Sequence, residues 1–305
     1  MNYRKNKLER LTRVAHLYYE EDKTQGEIAT LMNISRPLVS RILQEARDVG
    51  IVEIRVHRPA CDRETLQERL CQQFGLQEAV LFSDEESSAR IDHDIAKRML
   101  EFIEERQPEY LGIGWGSIIG TATKLLDRVP PHATSIRSVC PLLGNSNVSS
   151  RQYHSDENVR IIAECYGAQP VFLHAPIFYP DEEERNLLYA TRHYQAVSRQ
   201  WDKLDMALVG VHDTTIERDV GYPMERNSRT VGHLAGNSYD RNGSIVAPER
   251  NCIVHIPVEN LTHCRCVVGL CAADVSPMAL IGALRTGILT HIFLRESLAE
   301  TLLEE

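Results

Sequence analysis

The stretch TQGEIATLMNISRPLVSRIL, residues 24–43, decides the fold of the N-terminal part of the chain. Thr24 and Glu27 form an S/T-x-x-E capping box, a pattern that satisfies two backbone N–H groups where a helix begins. The buried side of this helix is expected to consist of three apolar residues, Ile28, Ala29 and Leu31. The stretch therefore predicts a short helix that begins next to Thr24.

A second helix is predicted after a turn at Asn33, because Asn tolerates the left-handed backbone better than most residues. Ser35 is the expected N-cap, and Pro37 falls in the first turn, where a missing N–H matters little. The apolar stripe of the helix consists of Val39, Ile42 and Leu43. Two short helices joined in this way are typical of a helix-turn-helix.

The opposite face of the second helix is polar, as expected of a recognition helix in the major groove of DNA. Arg can donate two hydrogen bonds to guanine, and Gln and Ser can reach base edges or phosphates. We expect base-edge or methyl contacts from Arg36, Pro37, Ser40 and Arg41, a phosphate contact from Gln25, and further contacts from Ser35 and Gln44. The alternative is a solvated helical hairpin inside an ordinary domain.

The residues that follow predict a winged variant of this motif. The helix is expected to continue through Asp48 and to end at Gly50, and IVEIRVHR at 51–58 alternates like a strand. Residues 1–58 are therefore predicted to form a DNA-binding domain. Four basic residues of the leading segment offer additional phosphate contacts, Lys5, Lys7, Arg10 and Arg13.

The length and charge of the chain indicate a second, different domain. The chain has 305 residues and a net charge of −9. Residues 1–60 hold 11 basic and 8 acidic residues, whereas the remainder holds 23 and 35. An acidic protein can still bind DNA through a local surface, but this balance argues against a non-specific nucleic-acid coater.

Cysteine usage and hydropathy predict a cytoplasmic protein with free thiols and no membrane partner. The eight cysteines form no C-x-x-C pair, and we recognise neither a signal peptide nor an apolar run of membrane-spanning length. HCRC at 263–266 is a metal candidate, but no second ligand pair appears at zinc-site spacing. We therefore expect buried thiols, no metal and no cofactor.

Residues 59–76 are predicted to form a linker helix. CDRETLQERLCQQFGL at 61–76 places Leu66, Leu70 and Phe74 on one side. This apolar face either pairs with its copy in a dimer or packs on the second domain, and the pattern leaves both alternatives open.

Residues 77–305 alternate short apolar runs with longer helical patterns, which predicts an α/β fold with a doubly wound, mostly parallel sheet. Strands are predicted at 78–82, 109–114, 135–140, 169–173, 204–210, 265–270 and 289–293. Helices are predicted at 88–106, 117–128, 156–166, 186–199, 276–286 and 296–304. Ligands of such sheets bind beyond the carboxyl ends of the strands.

The turns after these strands carry the candidate ligand-binding residues. Gly112, Gly114 and Gly116 precede Ser117 at the start of a helix, an arrangement suited to a phosphate or carboxylate. NAD is not expected, because Arg128 and two prolines replace the acidic ribose partner. The alternative is architectural, since glycines also permit tight turns. Further candidates follow later strands, at Gly144-Asn145 and at His212-Asp213.

The order of several segments resembles the SorC family of bacterial sugar-responsive transcription regulators over essentially the whole length. The segments are QGEIATLMNISRPLVSRILQEARDVGIVEI, GIGWGS, PLLGN, ENVRIIAECYGAQPVFLHAPIF, LDMALVGVHD, RTVGHLAGNSYDRNG and VVGLCAADVSPMALIGALRTGILTHIFLRESLAETLL. The resemblance implies an N-terminal helix-turn-helix and an effector domain similar in fold to sugar-phosphate isomerases and deaminases. It also implies dimers and tetramers on palindromic double-stranded operators and a small carbohydrate effector.

The effector site that the resemblance implies comprises Gly114, Trp115, Gly116, Ser117, Gly144, Asn145, His212, Asp213, Arg229, Asp274 and Ser276. Several positions depart from the family pattern. The phosphate-pairing lysine is absent from Ala272–Ser276, Ile118 replaces a common Thr, Leu294-Arg295 replaces Thr-Asp, and His233 stands where many members have Asp. Arg229 offers a compensating cation. We therefore expect an unphosphorylated sugar or polyol, or an altered pose of a phosphosugar.

An enzyme is the competing hypothesis from another functional class. A sugar isomerase or deaminase on this fold needs groups that transfer protons, and His212, Asp213 and Asp274 are candidates. Their spacing does not require catalysis, so a ligand-gated regulator is the prediction retained. Effector binding is then expected to change operator affinity by shifting the relative placement of two recognition helices.

Overall fold

The chain divides into two compact units, Met1–His57 and Arg58–Glu305. The computed structural model describes residues 2–48, 51–52, 60–85, 87–127, 129–214, 220, 228–248 and 252–304. Several predictions lie outside the described residues: the helix end at Gly50, most of the strand at 51–58, and Arg128. The side chains of Lys5 and Lys7 lie outside them as well.

The N-terminal unit contains three helices, α1 (Asn2–Tyr19), α2 (Gln25–Leu31) and α3 (Arg36–Asp48). The capping box is confirmed at the start of α2. The Thr24 N–H donates to Glu27 Oε2 at 2.9 Å, and the Glu27 N–H donates to Thr24 Oγ1 at 3.3 Å. Asn33 has a φ of 51°, which confirms the left-handed turn between α2 and α3.

This unit has a small hydrophobic core of its own. Its fully buried members come from all three helices: Leu11, Val14, Ala15, Ile28, Val39, Ile42, Leu43 and Ala46. Ala29 is half-buried and packs against them. The expectation that Leu31 lies on the buried side was wrong, since 62% of it is exposed. Leu31 is the last residue of α2, and the core of this unit contains Ile28 and Ala29 from that helix but not Leu31.

The C-terminal unit begins with α4 (Ala60–Phe74), and its described strands form one sheet. Seven strands run parallel in the order β1-β9-β8-β5-β2-β3-β4, and the β6–β7 hairpin joins β5 in antiparallel fashion. The strands are β1 (Glu78–Phe82), β2 (Tyr110–Ile113), β3 (Ser138–Pro141), β4 (Gln169–Pro170), β5 (Met206–Asp213), β6 (Thr230–Leu234), β7 (Asn237–Asp240), β8 (Cys266–Cys271) and β9 (His291–Arg295).

Helices cover both faces of this sheet, which confirms the predicted architecture. They are α5 (Ser88–Arg106), α6 (Ser117–Leu126), α7 (Ser155–Cys165), α8 (Glu182–Tyr189), α9 (Arg192–Trp201), α10 (Val258–His263), α11 (Pro277–Arg285) and α12 (Glu296–Glu304). One core lies under α5, α6 and α7, and the other contains residues of α4, α9, α11 and α12. Along β5, Met206 and Leu208 belong to the first core, and Ala207 and Val209 to the second.

The apolar face of α4 packs on the C-terminal unit. Leu70 is completely buried in its core, and Leu66 and Phe74 pack beside it. Gln67 Nε2 donates to the Ala79 carbonyl at 2.8 Å, and Arg63 pairs with the buried Glu296 of α12. Of the two alternatives for this face, packing on the second unit therefore accounts for its burial.

Three local predictions differ from the structure. The region predicted as one helix at 186–199 is two helices, because Thr191 caps α9 by accepting from the Tyr194 N–H at 3.1 Å. β4 ends at Pro170 rather than near 173, because the Leu173 and His174 N–H groups donate to the Asp156 carboxylate. The β6–β7 hairpin and α10 were not predicted. Among the described helices, none is long and apolar enough to cross a membrane.

Candidate functional site

The polar face of α3 is exposed, as a recognition helix requires. Ser35, Arg36, Pro37, Ser40, Arg41 and Gln44 are all exposed, and Gln25 of α2 is half-buried. On the opposite face Val39 is completely buried, and Ile42 and Leu43 are nearly so. The Ser35 carbonyl accepts from the Leu38 and Val39 N–H groups at 3.0 and 3.1 Å, which begins the helix at the predicted position.

The carboxyl ends of β2 and β5 form the centre of the second candidate site. The connections from β2 lead to β3 and β4 on one side of the sheet, and those from β5 lead to β8 and β9 on the other. The strand order reverses between these two neighbours, which is where open α/β sheets form a ligand-binding crevice. The sequence predicted candidate ligand-binding residues in the turns after β2 and β5 and also in the turn after β3, at Gly144-Asn145.

The turn after β2 lies directly against His212. The imidazole Nε2 lies 3.4 Å from the Trp115 carbonyl oxygen. A Cβ on Gly116 would come within 2.9 Å of the ring, and one on Gly210 would overlap it. Gly116 also has a φ of 127°, a conformation that side chains disfavour. These glycines therefore make room for the imidazole beside the N-terminus of α6.

Gly114 and Trp115 hold the turn in place. The Gly114 N–H donates to the Leu208 carbonyl at 2.8 Å, and a Cβ there would lie 3.0 Å from the same oxygen. Trp115 is buried and contacts Tyr153 edge to face, with ring centroids 5.7 Å apart. The indole therefore fills core, while the Trp115 carbonyl faces His212.

His212 and His233 project to the same face of the sheet. Met206 and Leu208 belong to the core under α5 and α6, so alternation along β5 directs His212 to that face. His233 of β6 is paired directly opposite His212. Ser238 Oγ lies 3.1 Å from His233 Nδ1, and His233 Nε2 has no hydrogen-bond partner in the described part of the chain. Burial, and next the neighbouring His212, lower the pKa of His233 to about 4.

Asp92 of α5 joins two of the turns on this face. Its Oδ2 accepts from the Ser117 hydroxyl at 2.8 Å, and its Oδ1 accepts from the Ala273 N–H at 3.1 Å. Burial raises the pKa of Asp92, an effect that the neighbouring Asp274 strengthens and these two hydrogen bonds oppose. Ser117 was predicted, whereas Asp92 was not, because nothing in IDHD at 91–94 marks a residue whose partners lie 25 and 181 positions away.

The second glycine turn has a different character. The Gly144 N–H donates to the Val254 carbonyl at 2.9 Å, and a Cβ there would come within 2.6 Å of the Ile177 backbone. The Asn145 N–H donates to the Ala175 carbonyl, and its amide exchanges hydrogen bonds with Asp156. Both backbone N–H groups are thus engaged within the protein. Asn145 and Asp156 line an open cleft with His174 and Phe178.

The remaining predicted effector residues differ in how far they are exposed to solvent. Asp213 is half-buried at the end of β5, and Arg229 is exposed before β6. Asp274 is exposed after β8. Ser276 caps α11, because its hydroxyl accepts from the Ala279 N–H at 3.3 Å. Of the predicted set, the structure therefore shows Trp115 and Gly116 in contact with His212.

The HCRC segment at 263–266 belongs to no group of three ligating side chains that could hold a metal ion in the described part of the chain. Cys264 Sγ instead lies 3.5 Å from the Cys266 carbonyl, and Cys266 Sγ lies 3.7 Å from His291 Nδ1. The seven described cysteines are thiols rather than disulfides.

Comparison with known proteins defines the class. Residues 59–304 match the family model described as "Putative sugar-binding domain". The sorbitol operon regulator of Klebsiella pneumoniae is 28% identical over 96% of this chain and 97% of its own length. The deoxyribonucleoside regulator of Bacillus subtilis is 30% identical over 78% of each chain. The protein is thus a transcriptional regulator in which a helix-turn-helix precedes a sugar-binding domain.

Solved structures agree with this class over the whole length. The full-length sorbitol operon regulator SorC from Klebsiella pneumoniae matches with a TM-score of 0.69 at 26% identity, covering 97% of this chain and 98% of that one. A DeoR family regulator from Listeria monocytogenes shares the fold over 78% of this chain and 98% of that one, with a TM-score of 0.66 and 24% identity. This chain belongs to the SorC family of transcriptional regulators.

Proposed function

We propose that α3 reads a palindromic double-stranded operator in the major groove and that the protein acts there as a dimer or tetramer in the cytoplasm. The observation that carries this is the division of α3 into two faces, with Arg36, Ser40 and Arg41 exposed and Val39 fully buried. Gln25 of α2 is the proposed phosphate contact. A two-fold assembly is proposed because one recognition helix reads only one half-site.

We propose that the effector is a small carbohydrate bound at the carboxyl ends of β2 and β5. The turn Gly114–Ser117, His212 and the surrounding Asp213, Arg229, Asp274 and Ser276 form the proposed site. Gly144 and Asn145 are proposed to shape its wall rather than to donate N–H groups, since both N–H groups already have carbonyl partners. The named function of the sorbitol operon regulator supports a sugar or polyol.

Regulation is proposed to follow from linkage between the two units. An effector changes operator affinity only to the extent that it binds the two arrangements of the recognition helices differently. A coupling free energy of roughly 1–3 kcal/mol changes operator affinity about 5- to 150-fold.

Catalysis is not part of this proposal. His212, the best candidate for proton transfer, has its Nε2 3.4 Å from the Trp115 carbonyl oxygen. Asp274 is exposed, and the relatives are named as regulators. Incubation with phosphosugars followed by NMR tests this point, and any turnover would restore the enzyme hypothesis.

Fluorescence anisotropy with DNA from the upstream region tests the function, with salt and a panel of free and phosphorylated sugars as variables. We expect sequence-dependent binding that one compound changes. Arg41→Ala should weaken specific binding by about 1–3 kcal/mol and relax base preference, with effector binding intact. Arg13→Ala, at an exposed position on α1, should weaken all sequences alike and lower the salt slope. The exposed Arg199 of α9 provides a control, Arg199→Ala. Unchanged operator affinity in Arg41→Ala would refute the placement of the recognition face.

A further inference from the structure

The N-terminus of α6 already holds an anionic group that belongs to the protein. α6 is ten residues long, and its first backbone N–H groups lack partners within the helix, so this end attracts negative charge. The Asp92 carboxylate lies at this end, where it accepts from the Ser117 hydroxyl at 2.8 Å. Its other oxygen holds the turn after β8 through the Ala273 N–H. A ligand phosphate at this helix end would meet the charge of Asp92 at close range.

The turn after β8 adds to this negative charge. Asp274 follows Ala273 directly, and its charge contributes to the raised pKa of Asp92. The segment Ala272–Ser276 contains no lysine or arginine. Two carboxyl groups therefore stand on the side of the crevice where a phosphate would need a cation.

His233 of β6, the strand paired with β5, is a buried polar group. His233 is only 3% exposed, and its Nδ1 faces Ser238, while its Nε2 has no partner in the described part of the chain. Its ring is on the face shared by His212, α5 and α6. A buried polar atom without a partner is destabilising unless a ligand or water completes its hydrogen bond. Since its pKa is about 4, His233 is neutral at pH 7 and offers a hydrogen bond rather than a charge.

We infer that this crevice binds an uncharged polyhydroxy compound, a free sugar or polyol, whose hydroxyl groups donate to Asp92 and hydrogen-bond to His233, and that it excludes the phosphate ester. This inference rests on the proposed effector function and specifies its ligand class. Each carboxylate oxygen has a second lone pair beyond the bond it already makes, so Asp92 can accept from a hydroxyl without releasing Ser117 or Ala273. A sugar or polyol carries hydroxyl groups on neighbouring carbon atoms, which can donate hydrogen bonds to the Asp92 oxygens.

Isothermal titration calorimetry on the full chain without DNA tests the ligand class. The probes are sorbitol, fructose, ribose and erythritol, each beside its terminal phosphate monoester. At least one free compound is expected to bind at least tenfold more tightly than its phosphate. A phosphate that binds more tightly than its free partner, or a panel in which no uncharged compound binds, would overturn the inference. This comparison uses the unaltered protein and so does not depend on the folding of any variant.

Asp92→Asn tests the residue. It keeps the shape but removes the charge, so affinity for the free compound should fall about tenfold or more, the size of one charge-assisted hydrogen bond. Inorganic phosphate should raise the melting temperature of Asp92→Asn but not that of the unaltered protein. Asp94→Asn is the matched control, since Asp94 lies on α5 but pairs with Arg90 at the surface. Equal effects of the two substitutions would overturn the role of Asp92.

Operator binding separates this inference from the proposed function. Both variants should bind operator DNA in the absence of ligand as the unaltered protein does, measured by fluorescence anisotropy. Absence of sequence-specific DNA binding by the unaltered protein would refute the proposed function. The preference for free over phosphorylated compounds is measured independently by calorimetry.

Discussion

The two candidate sites differ in how far apart in the sequence their contacting residues lie. The DNA-reading helices are set by neighbours: Thr24 and Glu27 are three residues apart, and Asn33 turns the chain directly into α3. The effector crevice joins α5, α6, β5, β6 and β8, and Asp92 alone bridges 25 residues to Ser117 and 181 to Ala273. The helix-turn-helix is stabilised by a small core of its own, whereas the crevice forms only when the whole sheet is assembled. The two regions should therefore respond differently to substitution.

We expect the largest effect from a substitution in the small core of the N-terminal unit. Ile28→Ala removes a fully buried side chain from a cluster of eight buried residues in the described part of that unit, which should lower the free energy of unfolding of that unit by about 2–5 kcal/mol. Operator binding should be lost while calorimetry shows effector binding intact. Leu31→Ala, at the exposed end of the same helix, is the control and should change stability by less than about 0.5 kcal/mol. Equal effects of the two would mean that this unit does not depend on its own core.

A glycine substitution tests the long-range construction of the crevice. Gly210→Ala places a methyl group where the His212 imidazole lies, and 2.8 Å from the Trp115 carbonyl. It should lower the free energy of unfolding of the C-terminal unit by about 1–3 kcal/mol and weaken effector binding, with operator binding of the ligand-free protein retained. Urea unfolding and calorimetry measure the two effects.

Gly26→Ala is the matching substitution in the N-terminal unit. We expect it to raise stability, whereas Gly210→Ala should lower it. Only Thr24 Oγ1 lies near the added methyl group, at 3.9 Å, so α2 should gain roughly 0.5–1 kcal/mol of helix stability. If Gly210→Ala were equally harmless, the close packing of His212 against the turn would be refuted.

We expect the smallest effect in the pH dependence of stability. The contributions of Glu27 and Asp92 should change with pH in opposite directions. Hydrogen bonds from Thr24 lower the pKa of Glu27, so its contribution is present above its ordinary pKa and is lost as pH falls through the folded value. Burial raises the pKa of Asp92, so folding disfavours its ionised form relative to the unfolded chain. That contribution is present below its ordinary pKa and is lost as pH rises through the folded value.

Urea unfolding from below pH 4 to neutral pH, followed separately for each unit, measures this difference. Relative to the unaltered protein, Asp92→Asn should become more stable as pH rises, and Glu27→Gln should become less stable. Because Glu27 is fully exposed, solvent screening keeps its effect small. Slopes of the same sign for both variants would contradict the contrast between the two regions.

The range of contacts also explains what the sequence could predict. The helix-turn-helix followed from short spacings, and the alternation along β5 and the turn at Gly116 followed from local pattern. Asp92 did not, because its partners are brought to it only by folding of the sheet. Gly144 resembled Gly116 in sequence, but the backbone of Ile177 crosses above it and uses the space that a ligand would need. The β6–β7 hairpin had a signal, the Ala235-Gly236 pair between two short runs, where both residues have positive φ.

The burial of the thiols has a consequence for the kind of signal that this regulator can receive. The thiolate is the form of cysteine that oxidants and alkylating agents attack. Burial raises the pKa of Cys264 to about 11 and those of Cys140 and Cys266 to about 12. At neutral pH these three thiols are therefore held mainly in the neutral form. We expect them to react slowly with peroxide, so the part of the sheet that they support is a poor sensor of oxidants.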